Sequence, residues 1–220
     1  MAKIGVVLAG CGVFDGSEIH EAVITLLALD RAGAEVICMA PTQEQMHVVN
    51  HASGTVAENE QRNILVESAR IARGNVKDIA TLTAADIDAL VFPGGFGAAK
   101  NLCDFAVKGA DCTVNEEVAR LVNEVVDAGK PLAAICIAPA LIARILGASG
   151  KAPQLTIGND KDTAAAIETM GGKHVECAVD DCVIDTKLKL VSTPAYMLAG
   201  SISAAAAGIE KTITELMKLV

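Results

Sequence analysis

Short apolar runs alternate with longer amphipathic stretches through most of the chain. Residues 3–9, 34–40, 88–92 and 131–135 are β-branched or wholly apolar runs of strand length. Between and after them, residues 17–32 and 114–128 show helical periodicity, and a third helix runs from Pro139 to about residue 146. Further on, the pattern predicts a short strand at 155–158, a helix at 162–170 and a hairpin of strands 175–184 and 188–192. A C-terminal helix is predicted at 197–219. Apolar strands that alternate with helices build a mostly parallel sheet with helices on both faces. No repeat or linker divides the chain, so a single domain spanning 1–220 is expected. The alternation fails only at about 42–78, where Gln, Asn, His and Glu dominate before a basic-acidic helical pattern at 59–73. That segment reads as an insertion packed over one end of the sheet.

Capping boxes mark two helix starts: Asp15 with Glu18, and Thr113 with Glu116. In the first helix, Ile19, Ala22, Val23, Leu26 and Leu27 form the expected core stripe, which leaves Glu21 on the opposite side. Ile24 and Ala28 continue that opposite side with apolar groups. Something therefore covers Glu21, a second subunit being one candidate, and a covered carboxylate is a better acid or base than an exposed one.

Composition narrows the partners. Hydrophobic residues make up 52% of the chain and aromatics only 2%, so the core must be built from Ala, Val, Ile and Leu. A formal charge of −9, with neither a basic cluster nor an aromatic stacking platform, argues against nucleic acid. No window has the length of a membrane span, and the lipoprotein-like Leu8-Ala9-Gly10-Cys11 follows too short an apolar run. Seven cysteines without a repeating spacing or a C-x-x-C pair fit a reducing cytoplasm. The loop from Gly10 to Gly16 places Asp15 where a dinucleotide fingerprint needs its third glycine, so no Rossmann cofactor site is expected. His47 and His51 have helical spacing but no third ligand nearby, and they read as solvated or lid histidines; no metal is expected. Asp180-Asp181 reads as a bend or a solvated edge.

The candidate chemistry lies where strand 131–135 stops at Cys136 and turns into a helix. Such a turn presents its side chain at the carboxyl end of the sheet, facing free helix N–H groups, where a thiol tends towards thiolate. The competing reading is a core-filling cysteine. Strand 88–92 runs directly into Pro93-Gly94-Gly95-Phe96-Gly97, whose glycines let backbone N–H groups approach a ligand closely, as an oxyanion hole requires.

Strand-P-G-G-F-G, strand-A-I-C-I-A-P and the acidic helix S-E-I-H-E together resemble the PfpI/ThiJ superfamily, which shares the fold of class I glutamine amidotransferase domains. G-C-G-V-F-D-G-S-E-I-H-E, E-S-A-R-I-A-R-G, P-G-G-F-G-A-A-K-N-L and S-T-P-A-Y-M-L-A resemble, more closely, the glyoxalase-like, isoprenoid-linked ElbB family, over essentially the whole chain. The resemblance implies a flavodoxin-like three-layer sandwich and a homodimer. It makes Cys136 the nucleophile and Glu21 the carboxylate that hydrogen-bonds it, with Gly95, Ile137 and Gly94 at the oxyanion hole. Ile137 departs from the superfamily's pattern, since many members carry a histidine there; His20, His47 and His51 are candidate substitutes. The implied activity is cofactor-independent conversion of glyoxal, or methylglyoxal, to the 2-hydroxy acid through a cysteine hemithioacetal. Alternatives are a redox or electrophile sensor built on a low-pKa Cys136, a deglycase, and a glutaminase working with a synthase partner.

Overall fold

Alternation within the first strand sets the two faces of the molecule. In a computed structural model that describes all of residues 1–220, Ile4, Val6 and Leu8 point into one apolar cluster while Val7 and Ala9 point into the other. The elements run in the order β1 Lys3–Val7, α1 Ile19–Arg31, β2 Glu35–Ala40, the hairpin β3 Val49–Asn50 with β4 Thr55–Val56, α2 Ile64–Ile71, β5 Lys77–Asp78, β6 Ala89–Phe92. There follow α3 Phe96–Lys100, α4 Phe105–Lys108, α5 Glu116–Asp127, β7 Leu132–Ile135, α6 Ala138–Ala148, β8 Gln154–Leu155 and α7 Lys161–Thr169. The chain closes with β9 Lys173–His174, β10 Val183–Asp185, β11 Leu190–Thr193 and α8 Ile202–Leu219.

Seven strands form the central sheet in the order β10-β11-β7-β6-β1-β2-β5, all parallel except the edge strand β10. Helices α1 and α8 pack over one face, and α5 and α6 over the other. This is the expected three-layer α/β sandwich. β6, β1 and β7 sit at its centre, and their carboxyl ends lie side by side. No helix is long and apolar enough to cross a membrane.

Several local expectations are corrected. Residues 42–78, expected to lie over one end of the sheet, are built into it: β5 adds the edge strand beside β2, and α2 packs on β2. The hairpin's first strand is only Val183–Asp185, because residues 175–182 are mostly irregular. The acidic bend there does have a partner, since Asp181 pairs with Lys211 at 2.7 Å. Glu18, not Asp15, caps α1, and Asn115, not Thr113, caps α5 by accepting from Glu117 and Val118 N–H. Asp15 is buried and accepts from Val49 N–H at 2.7 Å, tying the glycine loop to the insertion.

The largest correction concerns α1. Its buried residues are Glu21, Ala22, Thr25, Ala28 and Leu29, whereas Ile19, Val23 and Leu27 of the predicted stripe are 42–48% exposed. The hydrophobic pattern misplaces the face because two polar residues, Glu21 and Thr25, take inward positions that apolar side chains would ordinarily occupy.

Candidate active site

Cys136 stands at the end of β7 with φ +63°, a left-handed conformation that costs a non-glycine residue roughly 1–2 kcal/mol. Its own N–H is held by Thr193 O on the neighbouring β11 at 2.9 Å. That bend turns the thiol out of the strand, and α6 begins two residues later with Pro139 in its first turn.

Glu21 reaches the same point from α1. Fully buried, it accepts from Gly94 N–H at 3.0 Å and from Tyr196 N–H at 3.1 Å, and it hydrogen-bonds the Cys136 thiol. Burial pushes its carboxyl up to about 7, against the opposing pull of those hydrogen bonds. Burial, and next the charge of Glu21, raise the Cys136 thiol well above its usual value, while the N–H groups of Gly95 and Ile137 act the other way. The expectation of a thiol tending towards thiolate is therefore corrected: the α6 terminus does not outweigh burial. Cys136 is instead a buried thiol beside a buried carboxyl, each raised by desolvation.

The five residues singled out in the sequence thus meet at one place, with divided roles. Gly95 and Ile137 direct N–H groups at the sulfur. Gly94 does not, because its N–H is engaged by Glu21, so it positions the carboxylate. Glycine is needed at both positions. A Cβ on Gly94 would lie 2.4 Å from Cys136 Cβ, and one on Gly95 would lie 2.3 Å from the Glu18 backbone nitrogen.

A cavity of about 380 Å³ opens above the thiol. Val13, Phe96, Ala99, Phe105, Ala106 and Met197 supply its apolar wall, and Glu18, Tyr196, Asp160 and Thr163 its polar atoms. The polar residues were not singled out as a site from the sequence. Only Tyr196 left a signal, as the single tyrosine of the chain, within T-P-A-Y. Its hydroxyl lies 2.8 Å from His20 Nδ1, which is itself 3.8 Å from the Glu18 carboxylate. His20 is therefore linked to the cavity through Tyr196. By contrast, His51 is occupied structurally by Phe14 N–H and Val49 O, and no group of three or more His, Cys, Asp or Glu side chains is arranged to hold a metal ion.

Comparison with known proteins identifies the family and the fold. The model of the DJ-1/PfpI family matches residues 9–194. The chain is 46% identical over 227 aligned residues to the human glutamine amidotransferase-like class 1 domain-containing protein 3, mitochondrial, covering 99% of this chain and 83% of that protein. It is 44% identical to the rat ES1 protein homolog, mitochondrial, covering 99% and 84%. Among solved structures, an Ehrlichia chaffeensis isoprenoid biosynthesis protein with an amidotransferase-like domain superposes with a TM-score of 0.92 at 38% identity, covering 99% of this chain and 100% of that one.

Proposed function

The chain belongs to the DJ-1/PfpI family, and on that footing we propose that it is a cofactor-independent glyoxalase, converting glyoxal or methylglyoxal to the corresponding 2-hydroxy acid. One observation carries this reading: Cys136 lines an open cavity together with Gly95 and Ile137, whose N–H groups face its sulfur, and a carboxyl raised to about 7 lies buried behind the thiol. As Cys136 sulfur attacks the aldehyde carbon, Glu21 takes the thiol proton, and Gly95 and Ile137 N–H groups hold the developing oxyanion. Glu21 passes that proton on to the oxygen, which gives the hemithioacetal and restores the carboxylate. Glu21 then removes the hydrogen from the former aldehyde carbon and returns it to the adjacent carbon through an enediolate, while the hydroxyl proton passes to the neighbouring oxygen, leaving the thioester of the 2-hydroxy acid. Water hydrolyses the thioester to the 2-hydroxy acid and frees the thiol. No metal, nicotinamide or glutathione enters the sequence. Tyr196 and His20 give protons a route between cavity and solvent, the part a histidine at position 137 plays in other members.

The test is product formation from glyoxal in metal-free buffer. Cys136→Ala is expected to remove at least about 10³-fold of kcat, and Tyr196→Phe to cost about tenfold and shift the pH profile. Turnover surviving in Cys136→Ala sinks the assignment. The raised thiol disfavours the sensor alternative, which needs a thiolate at neutral pH.

We place the chain in the ElbB-like branch of the family, supported by the likeness to the Ehrlichia protein and by the motifs described above. Seven free cysteines suit a reducing compartment, the cytoplasm being our reading; the human and rat relatives are named as mitochondrial. The exposed ridge Ile19, Val23 and Leu27 on α1 is repeated every fourth residue, which suits a two-fold homodimer packing α1 on its copy. Light scattering should give twice the 22.6 kDa chain mass, and Val23→Glu should halve it. A wild-type monomer at micromolar concentration contradicts the dimer.

A further inference from the structure

We infer that the cavity selects a neutral 2-oxoaldehyde with an apolar, aryl-sized tail and turns away those bearing a carboxylate or phosphate. The inference rests on the glyoxalase reading for its electrophile but takes the rest from the cavity itself. Glyoxal has no tail, and in a space of about 380 Å³ it would leave Phe96, Phe105 and Met197 facing water. An aromatic group attached to the ketone carbon would displace that water and stack against the two phenylalanines. The hydrophobic contribution of even one methylene in such a pocket is commonly worth about tenfold or more in kcat/KM.

Charge supplies the second half. No lysine or arginine lines the cavity, while two carboxylates, Glu18 and Asp160, do. Asp160 caps α7 by accepting Thr163 N–H at 2.8 Å, and the Thr163 hydrogen bonds hold its carboxyl below the usual range, so it is charged at neutral pH. Lys100 lies over the Phe96 ring at 5.1 Å and donates to Phe14 O at 3.1 Å, and it does not line the cavity. An anionic tail would therefore meet carboxylates with no compensating cation.

Selectivity can be read without turnover, by the rate at which Cys136 is alkylated. The full chain is treated with iodoacetamide, N-phenyl-iodoacetamide or iodoacetate, and modification at Cys136 is followed by peptide mass. Each rate is divided by that of the same reagent with a free thiol. The normalised rate is expected to rise at least about tenfold for the aryl reagent over iodoacetamide, and to fall at least about tenfold for iodoacetate. Phe105→Ala should lower the aryl-to-iodoacetamide ratio. Equal normalised rates, faster reaction of the anion, or no modification of Cys136 by any reagent would overturn the inference. A parallel comparison of phenylglyoxal with glyoxal separates the two levels of argument. The expected capture order without turnover of either aldehyde refutes the glyoxalase reading alone, and turnover without an aryl preference refutes the selectivity alone.

Discussion

Glu21→Gln is expected to lower kcat/KM by about 10²–10⁴-fold, because the substituted amide can neither take the thiol proton nor shuttle hydrogen between the substrate carbons. The wild-type profile should rise through pH about 7 as the Cys136–Glu21 pair loses its first proton, and the variant should lack that limb. Stability provides an independent readout with a definite sign. The Glu21 carboxyl ordinarily titrates at 4.5 and is raised to about 7 in the folded protein. Between those values the folded state holds a proton that the unfolded chain has released, so unfolding free energy falls as pH rises, by about 3 kcal/mol for this group. Glutamine carries no such dependence. It does leave one of the Gly94 and Tyr196 N–H groups without an acceptor, a cost of about 1–3 kcal/mol. The variant should therefore be the less stable protein at about pH 5, with the gap closing by about pH 8. Urea denaturation at the two pH values checks this, and a gap that widens with pH would contradict the assignment of Glu21 as a protonatable buried acid.

Gly95→Ala should damage folding and chemistry together. The residue has φ +96°, and an added Cβ would lie 2.3 Å from the Glu18 backbone nitrogen and 2.6 Å from Gly16 O. Both neighbours are backbone atoms of the segment that starts α1, and Glu18 N–H is itself bonded to Gly94 O at 2.9 Å. The clash cannot be relieved by a rotamer change, so a loss of about 3–5 kcal/mol is expected, together with loss of the N–H aimed at Cys136. Gly33→Ala is the control. It has a comparable φ of +70° but open space around the added carbon, and its cost should stay near about 1 kcal/mol. If the two variants show equal denaturation midpoints, the turn after β6 is not packed against the start of α1 as described.

The difference between legible and illegible features follows from how far apart in the chain the cooperating groups lie. β1, β2, β6 and β7 were readable because each is a local apolar run bounded by glycine or proline. The thiol at Cys136 was readable for the same reason, as a cysteine at a strand-to-helix turn. Helix α1 shows where local pattern misleads. A hydrophobic stripe identifies the buried face only when burial is decided by apolar area, and here Glu21 takes an inward position to accept N–H groups from residues 94 and 196. Ile19, Val23 and Leu27 are displaced outward as a result. The caps at Glu18 and Asn115 were missed because two acceptors stand close together at each helix start, and only the path of the preceding loop selects one.

By itself the sequence determined the parallel α/β architecture, the glycines after β6 and the turn that carries Cys136, since strand period, chain reversal and backbone permissiveness are properties of neighbouring residues. Only family resemblance, and no local pattern, pairs Glu21 with Cys136. Tertiary structure alone decided the inward turn of Glu21, its place beside a buried thiol, the engagement of Gly94 N–H by that carboxylate and the Tyr196–His20 link to the cavity. Each of these depends on groups tens to well over a hundred residues apart sharing one desolvated volume, and desolvation is set by what surrounds a group in space rather than along the chain.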